Sequence, residues 1–231
     1  MVLLYIITVL FIIYCSTESL ASIARHAGSK TKRYSLGLML SNQIYSINRL
    51  NGFLIAPLLG LYVDHGGSVE ELRISAKIGC VVSAIILAAI LKIWPLLLRI
   101  CMSVLGGIEL HGFSYKVLRH VIISNADGAC KFNSRKKDFL VVFSQSLTTS
   151  LATPTAFVLN ILAIRFPEYK ATLVQSATVI SGAGNLALNF YIFPKVALAE
   201  TRGDPDGMYY SMMLGKIFGI GILSTCMLTI I

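Results

Sequence analysis

Six long, largely apolar runs, separated by short polar stretches, dominate this chain, and a helix that crosses a bilayer needs about 20 such residues. The runs cover residues 2–23, 34–63, 72–91, 139–163, 171–193 and 208–230. The fold class that follows is all-α: a polytopic membrane protein with about six transmembrane helices in a single integral membrane domain. The first run does not read as a cleavable signal. No basic residue precedes it, Glu18 interrupts it, and the positive charges come after it. Of the 231 residues, 55% are hydrophobic and 13% charged. Average soluble domains have roughly 45–50% and 25%. A soluble fold could not hide that much apolar surface, which excludes an ordinary cytosolic enzyme, a disordered chain and a nucleic-acid binder, even at a formal net charge of +9.

The runs divide the chain into a three-helix half (1–93), a connection (94–138) and a second three-helix half (139–231). The connection carries Pro95, Arg99, Glu109, Lys116, Arg119 and His120, then a polar basic stretch at 125–137. It reads as an amphipathic, interfacial helix pair rather than a seventh span. The five cysteines include no Cys-x-x-Cys pair and are odd in number, so neither a disulfide framework nor a zinc site is expected. The four histidines have no partner at metal-ligand spacing and read as loop residues.

The basic residues set an orientation. Fifteen Lys and Arg belong to the first, central and fifth connections, Lys216 included, whereas four (Arg73, Lys77, Arg165 and Lys170) belong to the others. Cytoplasmic loops carry the excess of Lys and Arg. The basic connections are therefore expected inside and both termini outside.

Displacing the chain on itself by 137 residues brings Leu36, Asn48, Phe53, Ile55, Pro57 and Leu61 onto Leu173, Asn185, Phe190, Ile192, Pro194 and Leu198. With three helices in each half, such a repeat would be inverted, an architecture that places a transporter's site at the repeat interface. The plainer alternative is two unrelated proline-containing helices.

The second run is the most informative. Asn42, Gln43, Ser46, Asn48, Arg49 and Asn51 occupy its middle. An arginine at the centre of a membrane helix costs roughly 2.5–3.5 kcal/mol on insertion scales. Asn42, Tyr45, Ser46, Arg49 and Gly52 share one stripe at helical spacing, and that stripe should face protein or a wet cavity. One reading is a polar pocket in which Arg49 meets an anionic group, with Asn42, Ser46, Asn48 and Asn185 as further binding residues. The other is an internal pair that locks helices together. Glu18 is the natural partner to consider, either as a structural carboxylate or as a proton-coupling one, although Arg49 sits about 13 Å deeper. Pro57 and Pro194 lie late in their runs and mark candidate broken helices or hinges. Hydroxyl-rich stretches at 148–155 and 172–181 suit helix packing as well as pocket lining. No phosphate loop, nucleophile elbow or zinc motif appears, so neither enzymatic activity nor a cofactor or metal is expected.

These residues carry a resemblance. The run TESLASIARHAGSKTKR (17–33), the central Arg49 and APLLGLYVD (56–64) are similar to the N-terminal half of the Amj family. The runs RFPEYKAT (165–172) and NFYIFPKVALAETRGD (189–204) resemble its second half. The likeness extends over nearly the whole chain and is weakest at 94–138. Amj proteins are bacterial lipid II flippases, alternates to MurJ. The resemblance implies a multi-pass protein of the bacterial cytoplasmic membrane that moves the undecaprenyl-pyrophosphate-linked peptidoglycan precursor for cell-wall biogenesis and cell shape. Its partners would be lipid II and the surrounding membrane lipids. Another polyprenyl-linked cargo, a non-transporting membrane subunit and an intramembrane polyprenyl-phosphate enzyme are the alternatives that the residues leave open.

Overall fold

A computed structural model describes residues 2–112, Ser114, Val117 and 138–231. The expected basic stretch at 125–137, Lys116, Arg119 and His120 lie outside the described residues, as do the side chains of Thr178, Ser181 and Asn185. The chain is all helix there: α1 (Val2–Lys30), α2 (Tyr34–Asp64), α3 (Val69–Lys92), α4 (Trp94–His111), α5 (Phe139–Ala152), α6 (Thr155–Arg165), α7 (Lys170–Ala187), α8 (Phe193–Thr201), α9 (Asp206–Phe218) and α10 (Thr225–Ile230). A π-helical turn, Leu188–Ile192, joins α7 to α8, and another, Gly219–Ser224, joins α9 to α10.

Four helical stretches are long and apolar enough to cross a membrane: Val2–Lys30, Val69–Lys92, Phe139–Arg165 and Asp206–Ile230. Their outward side chains are apolar at helical spacing, as with Ile74, Ile78, Val81 and Ile85 on α3 and Phe139, Phe143 and Leu147 on α5. In water such a surface would be a liability; against lipid it is the expected exterior. The two remaining long stretches, α2 and the run α7–α8, hold the most polar sequence and flank the site described below.

In each half the first helix is central. α1 packs on α2 and α3, and the α5–α6 stretch packs on α7 and on α9 with its following turn. The halves meet where Phe11 of α1 stands edge-on to Phe157 of α6, ring centroids 5.1 Å apart. Gly79 of α3 makes room for Phe11, since a Cβ there would lie 2.9 Å from its ring. Two further close approaches use paired glycines. A Cβ on Gly28 or on Gly37 would lie 2.6 Å from the other's Cα, which draws α1 and α2 together beside their turn. Gly215 in the last turn of α9 and Gly219 at the start of the π turn that follows lie against α5, where a Cβ would come within 2.6 Å of the Gln145 Cβ and the Ser146 carbonyl oxygen respectively. Small residues four apart let membrane helices approach this closely. The Ser146 hydroxyl donates to the Gly215 carbonyl across that contact at 3.0 Å.

Ion pairs fix which helix ends lie together. Lys30 pairs with Asp206, Arg33 with Glu109, and Lys195 with Asp138 at one end. Asp64 pairs with Lys170 at the other. The first, central and fifth connections therefore share one end of the bundle. α4 is tied there twice, with Trp94 against His26 and Glu109 against Arg33. α4 packs against α1.

Of the two prolines expected to break helices, Pro57 does not and Pro194 follows an irregular turn. α2 passes through Pro57 without interruption; there the ring removes one backbone donor and the turn before it stays helical. The break falls instead at Thr153 and Pro154, between α5 and α6, where a proline after a hydroxyl-rich turn cannot continue the ladder. At Pro194 the expectation is closer: the helix widens into the π turn just ahead of it, and the Phe193 amide donates to the Leu188 carbonyl five residues back. The wide turn relieves the clash between the proline ring and the preceding turn.

Candidate functional site

Asn42, Tyr45, Ser46, Asn48 and Arg49 of α2 line one wall of a cavity of about 630 Å³. The inner wall is Tyr14, Glu18, Ser22 and Arg25 of α1, Gln145, Thr148 and Thr149 of α5, and Tyr209 of α9. Leu188 and Asn189 of the π turn before α8, with Phe193 and Val196 of α8, close the far side. Asn42, Ser46 and Arg49 on one rim and Asn189 on the other are exposed, so the cavity opens sideways between α2 and the α7–α8 run. The volume falls within the roughly 300–1,000 Å³ typical of small-molecule sites.

The charges around it are mostly matched. Glu18 and Lys216 form an ion pair at 2.8 Å, with the Lys216 side chain 4% exposed. Arg25 binds Glu200 through two nitrogen–oxygen contacts of 3.1 Å each. Arg49 has no carboxylate within ion-pairing distance among the described residues. Among the described residues the wall thus carries one uncompensated positive charge. Glu18 is not the partner of Arg49; a lysine from the last long helix takes the carboxylate instead.

The amides are less well satisfied than the charges. Asn48 is buried, and its Oδ1 has no hydrogen-bond partner. Gln145 is buried too; its Nε2 donates to the Thr149 hydroxyl at 2.9 Å, while its Oε1 has no partner. Buried polar atoms in folded proteins are nearly always paired, so two spare acceptors on residues of one cavity are notable. Ser46, by contrast, donates to the Asn42 carbonyl within α2 at 2.9 Å. Gly52 stands beside the Tyr14 ring, which leaves α1 and α2 close below the cavity. Asn185 lies on α7, and its side chain is outside the described residues. Pro57 is not among the lining residues, whereas Pro194 follows Phe193, which is.

A buried polar cluster seals the cavity at the end shared by the basic connections. His26 is wholly buried in α1, which corrects its reading as a loop residue. Its Nε2 lies 2.9 Å from the Asp206 carboxylate, and its Nδ1 accepts from the Trp94 indole at 3.1 Å. Indole nitrogen only donates, so the imidazole hydrogen sits on Nε2 and points at Asp206. The His26 ring stacks on Tyr209 at 4.4 Å, and the Tyr209 hydroxyl donates to Glu200 at 2.6 Å. The Arg25 guanidinium also lies over the Phe193 ring, 5.6 Å from its centroid. The cluster joins residues of run 17–33 to Phe193 and Glu200 of run 189–204 and, just beyond that run, to Asp206 and Tyr209.

Sequence reasoning missed Gln145, Glu200, Asp206 and Lys216. Lys216 gave one signal, a lone charge inside an apolar run, which is costly unless paired. Glu200 and Asp206 gave none, because acidic residues in a polar connection look solvated. Among the described residues no group of His, Cys, Asp and Glu is arranged to hold a metal ion. Cys15, Cys80, Cys101 and Cys226 are free thiols.

Fold and surface define a multi-pass membrane protein with a laterally open polar cavity. Comparison with protein-family models, with curated proteins and with solved structures found no match.

Proposed function

We propose that this protein is a lipid II flippase of the bacterial cytoplasmic membrane. The observation that carries the reading is Arg49: a guanidinium without a carboxylate partner among the described residues, on the wall of a cavity that opens sideways between two helices. A lipid-linked pyrophosphate needs a cation that it can reach without its polyprenyl tail leaving lipid. The two neutralised pairs, Glu18–Lys216 and Arg25–Glu200, leave Arg49 as the cavity's net attraction for an anion. The resemblance of runs 17–33, 56–64, 165–172 and 189–204 to the Amj family supplies the identity of the cargo.

In this reading the crossings number six. α2 spans about 46 Å at 1.5 Å per residue, ample for a hydrocarbon core of about 30 Å. It tolerates its polar middle because that face lines the cavity. The α7–α8 run plays the same part opposite. α4 lies in the interface of the cytoplasmic leaflet, the basic end faces the cytoplasm, and both termini lie outside. Two inverted three-helix repeats fit the packing, since in each half the first helix touches both others while the second and third touch little. The protein acts as a transporter, not as an enzyme, and needs no cofactor.

The test is reconstitution in liposomes with fluorescent lipid II, with a fluorescent phospholipid alongside. Lipid II should move between leaflets selectively, and Arg49→Ala should abolish the movement while leaving the purified protein monodisperse. Full activity in Arg49→Ala would discard the site. Movement of another polyprenyl-linked glycan in place of lipid II would keep the mechanism and change the cargo.

A further inference from the structure

Phe193, Val196 and Glu200 share one face of α8 at helical spacing, and a single side chain of α1 grips that face at both ends. The Arg25 guanidinium lies over the Phe193 ring, 5.6 Å from its centroid, and its nitrogens reach the two Glu200 oxygens at 3.1 Å each. α8 itself packs on the π turn before it and on α9. Arg25 is within reach of a ligand. It lines the cavity with its side chain 22% exposed, whereas Glu200 does not line it and is 10% exposed. An anion that enters the cavity therefore meets the guanidinium first, with the carboxylate behind. Glu200 has a second partner, the Tyr209 hydroxyl at 2.6 Å, so its charge is still answered when Arg25 lets go. Arginine binds phosphate oxygens in the same forked manner as a carboxylate, so the exchange replaces like with like.

We propose that Arg25 is a second anion-binding residue held in reserve: a pyrophosphate on Arg49 takes the Arg25 guanidinium from Glu200, and the release of α8 from α1 opens the cavity at its sealed end. This rests on the reading of the cavity as an anion site and adds what the site does once it is filled. A ligand shifts a conformational equilibrium only by contacts it makes in one state and not in the other. Here that contact is Arg25, taken by Glu200 in the closed form and open to the ligand in the released one. Pyrophosphate carries oxygens on two phosphorus atoms and can engage both arginines. Orthophosphate, on Arg49 alone, leaves the latch shut. The moving part is α8, which hangs from the π turn Leu188–Ile192, while the Gly28–Gly37 contact holds α1 and α2 together.

The experiment is calorimetric titration of the whole chain in detergent with two soluble probes, inorganic pyrophosphate and orthophosphate. Glu200→Gln keeps the shape of the latch and removes its charge. It should bind pyrophosphate about tenfold more tightly than the wild type, the worth of one charge-assisted hydrogen bond, with orthophosphate binding nearly unchanged. The gain should vanish in Arg25→Gln/Glu200→Gln, in which neither partner is left as a stranded charge. A gain that persists in the double variant is a through-space effect of the lost charge and overturns the role of Arg25. No gain in a monodisperse Glu200→Gln overturns it too. Movement is read separately with spin labels on Lys32→Cys, just past α1, and Leu198→Cys on α8, both exposed, in a chain whose five native cysteines are replaced by alanine. This measurement leaves the latch residues untouched, so a folding failure of Glu200→Gln does not shield the proposal. Saturating pyrophosphate should lengthen the distance between the labels and orthophosphate should not; the same distance with and without pyrophosphate overturns the latch while leaving the anion site standing. Arg49→Ala should abolish binding of both probes. Binding that ignores Arg49→Ala overturns the underlying site instead.

Discussion

The carboxylate of Glu18, on the first helix, and the ammonium of Lys216, on the last long helix, meet at 2.8 Å inside the bundle. The pair is unequal. Glu18 borders the open cavity, with its side chain 25% exposed, whereas that of Lys216 is 4% exposed. Removing one member of a buried pair strands the other and destabilises by roughly 3–5 kcal/mol. The stranded group suffers most where water cannot reach it. Glu18→Gln should therefore destabilise more than Lys216→Met, and the double variant should recover much of the loss. Thermal unfolding of the four proteins in detergent measures all three differences; equal losses in the two single variants would contradict the asymmetry.

Trp94 is the sole tryptophan of the chain, it is wholly buried, and it donates to His26. Its fluorescence therefore reports on the polar cluster that seals the cavity. His26→Leu removes the acceptor for the indole and the donor to Asp206. Asp206 keeps Lys30, so a loss of about 1–3 kcal/mol is expected from the lost hydrogen bonds, with red-shifted emission and greater quenching by acrylamide. Unchanged emission would show that the cluster does not depend on His26.

Gly215 and Gly219 hold α9 against α5 at distances that leave no room for a Cβ. Gly219→Leu should push the two helices apart, lower the midpoint of thermal unfolding by several degrees and reduce the yield of monodisperse protein. Gly182 has open space about its Cα, so Gly182→Ala should unfold within a degree or two of the wild type, gaining rather than losing helix propensity.

Asp64 and Lys170 join the ends of α2 and α7 in solvent. Exposed pairs are worth about 0–1 kcal/mol. Lys170→Gln should leave thermal stability within about 1 kcal/mol of the wild type. A larger loss would mean that this contact is one of the principal ties between the halves.

The contrast between these pairs explains what could be read in advance. The stripe Asn42–Arg49 announces itself because charge and amides in an apolar run have to be hidden, and helical spacing tells which face hides them. Its neighbour across the cavity, Gln145, sits in a hydroxyl-rich run whose composition fits packing equally well. The partner of Glu18 lies on another helix at the far end of the chain, and no local pattern reaches that distance. His26 has a loop-like surrounding of small and basic residues. What places it in a helix is the glycine contact of Gly28 with Gly37, and the need for that contact comes from α2. Pro57 and Pro154 show the same limit: a proline marks where a helix is weakened, while packing decides which weakened place gives way.

The π turn before Pro194 has a mechanical consequence. Such a turn carries more residues per revolution than the regular helix on either side of it. It acts as a dislocation does in a crystal row: converting it to regular helix rotates everything beyond it by about 100°, whereas moving it along by one residue reorients only the residues it passes. Asn189 lies within the turn, and Phe193 and Val196 lie beyond it on the cavity wall. One side of the cavity is therefore mounted on a swivel, while α2, which faces it, is a continuous rod.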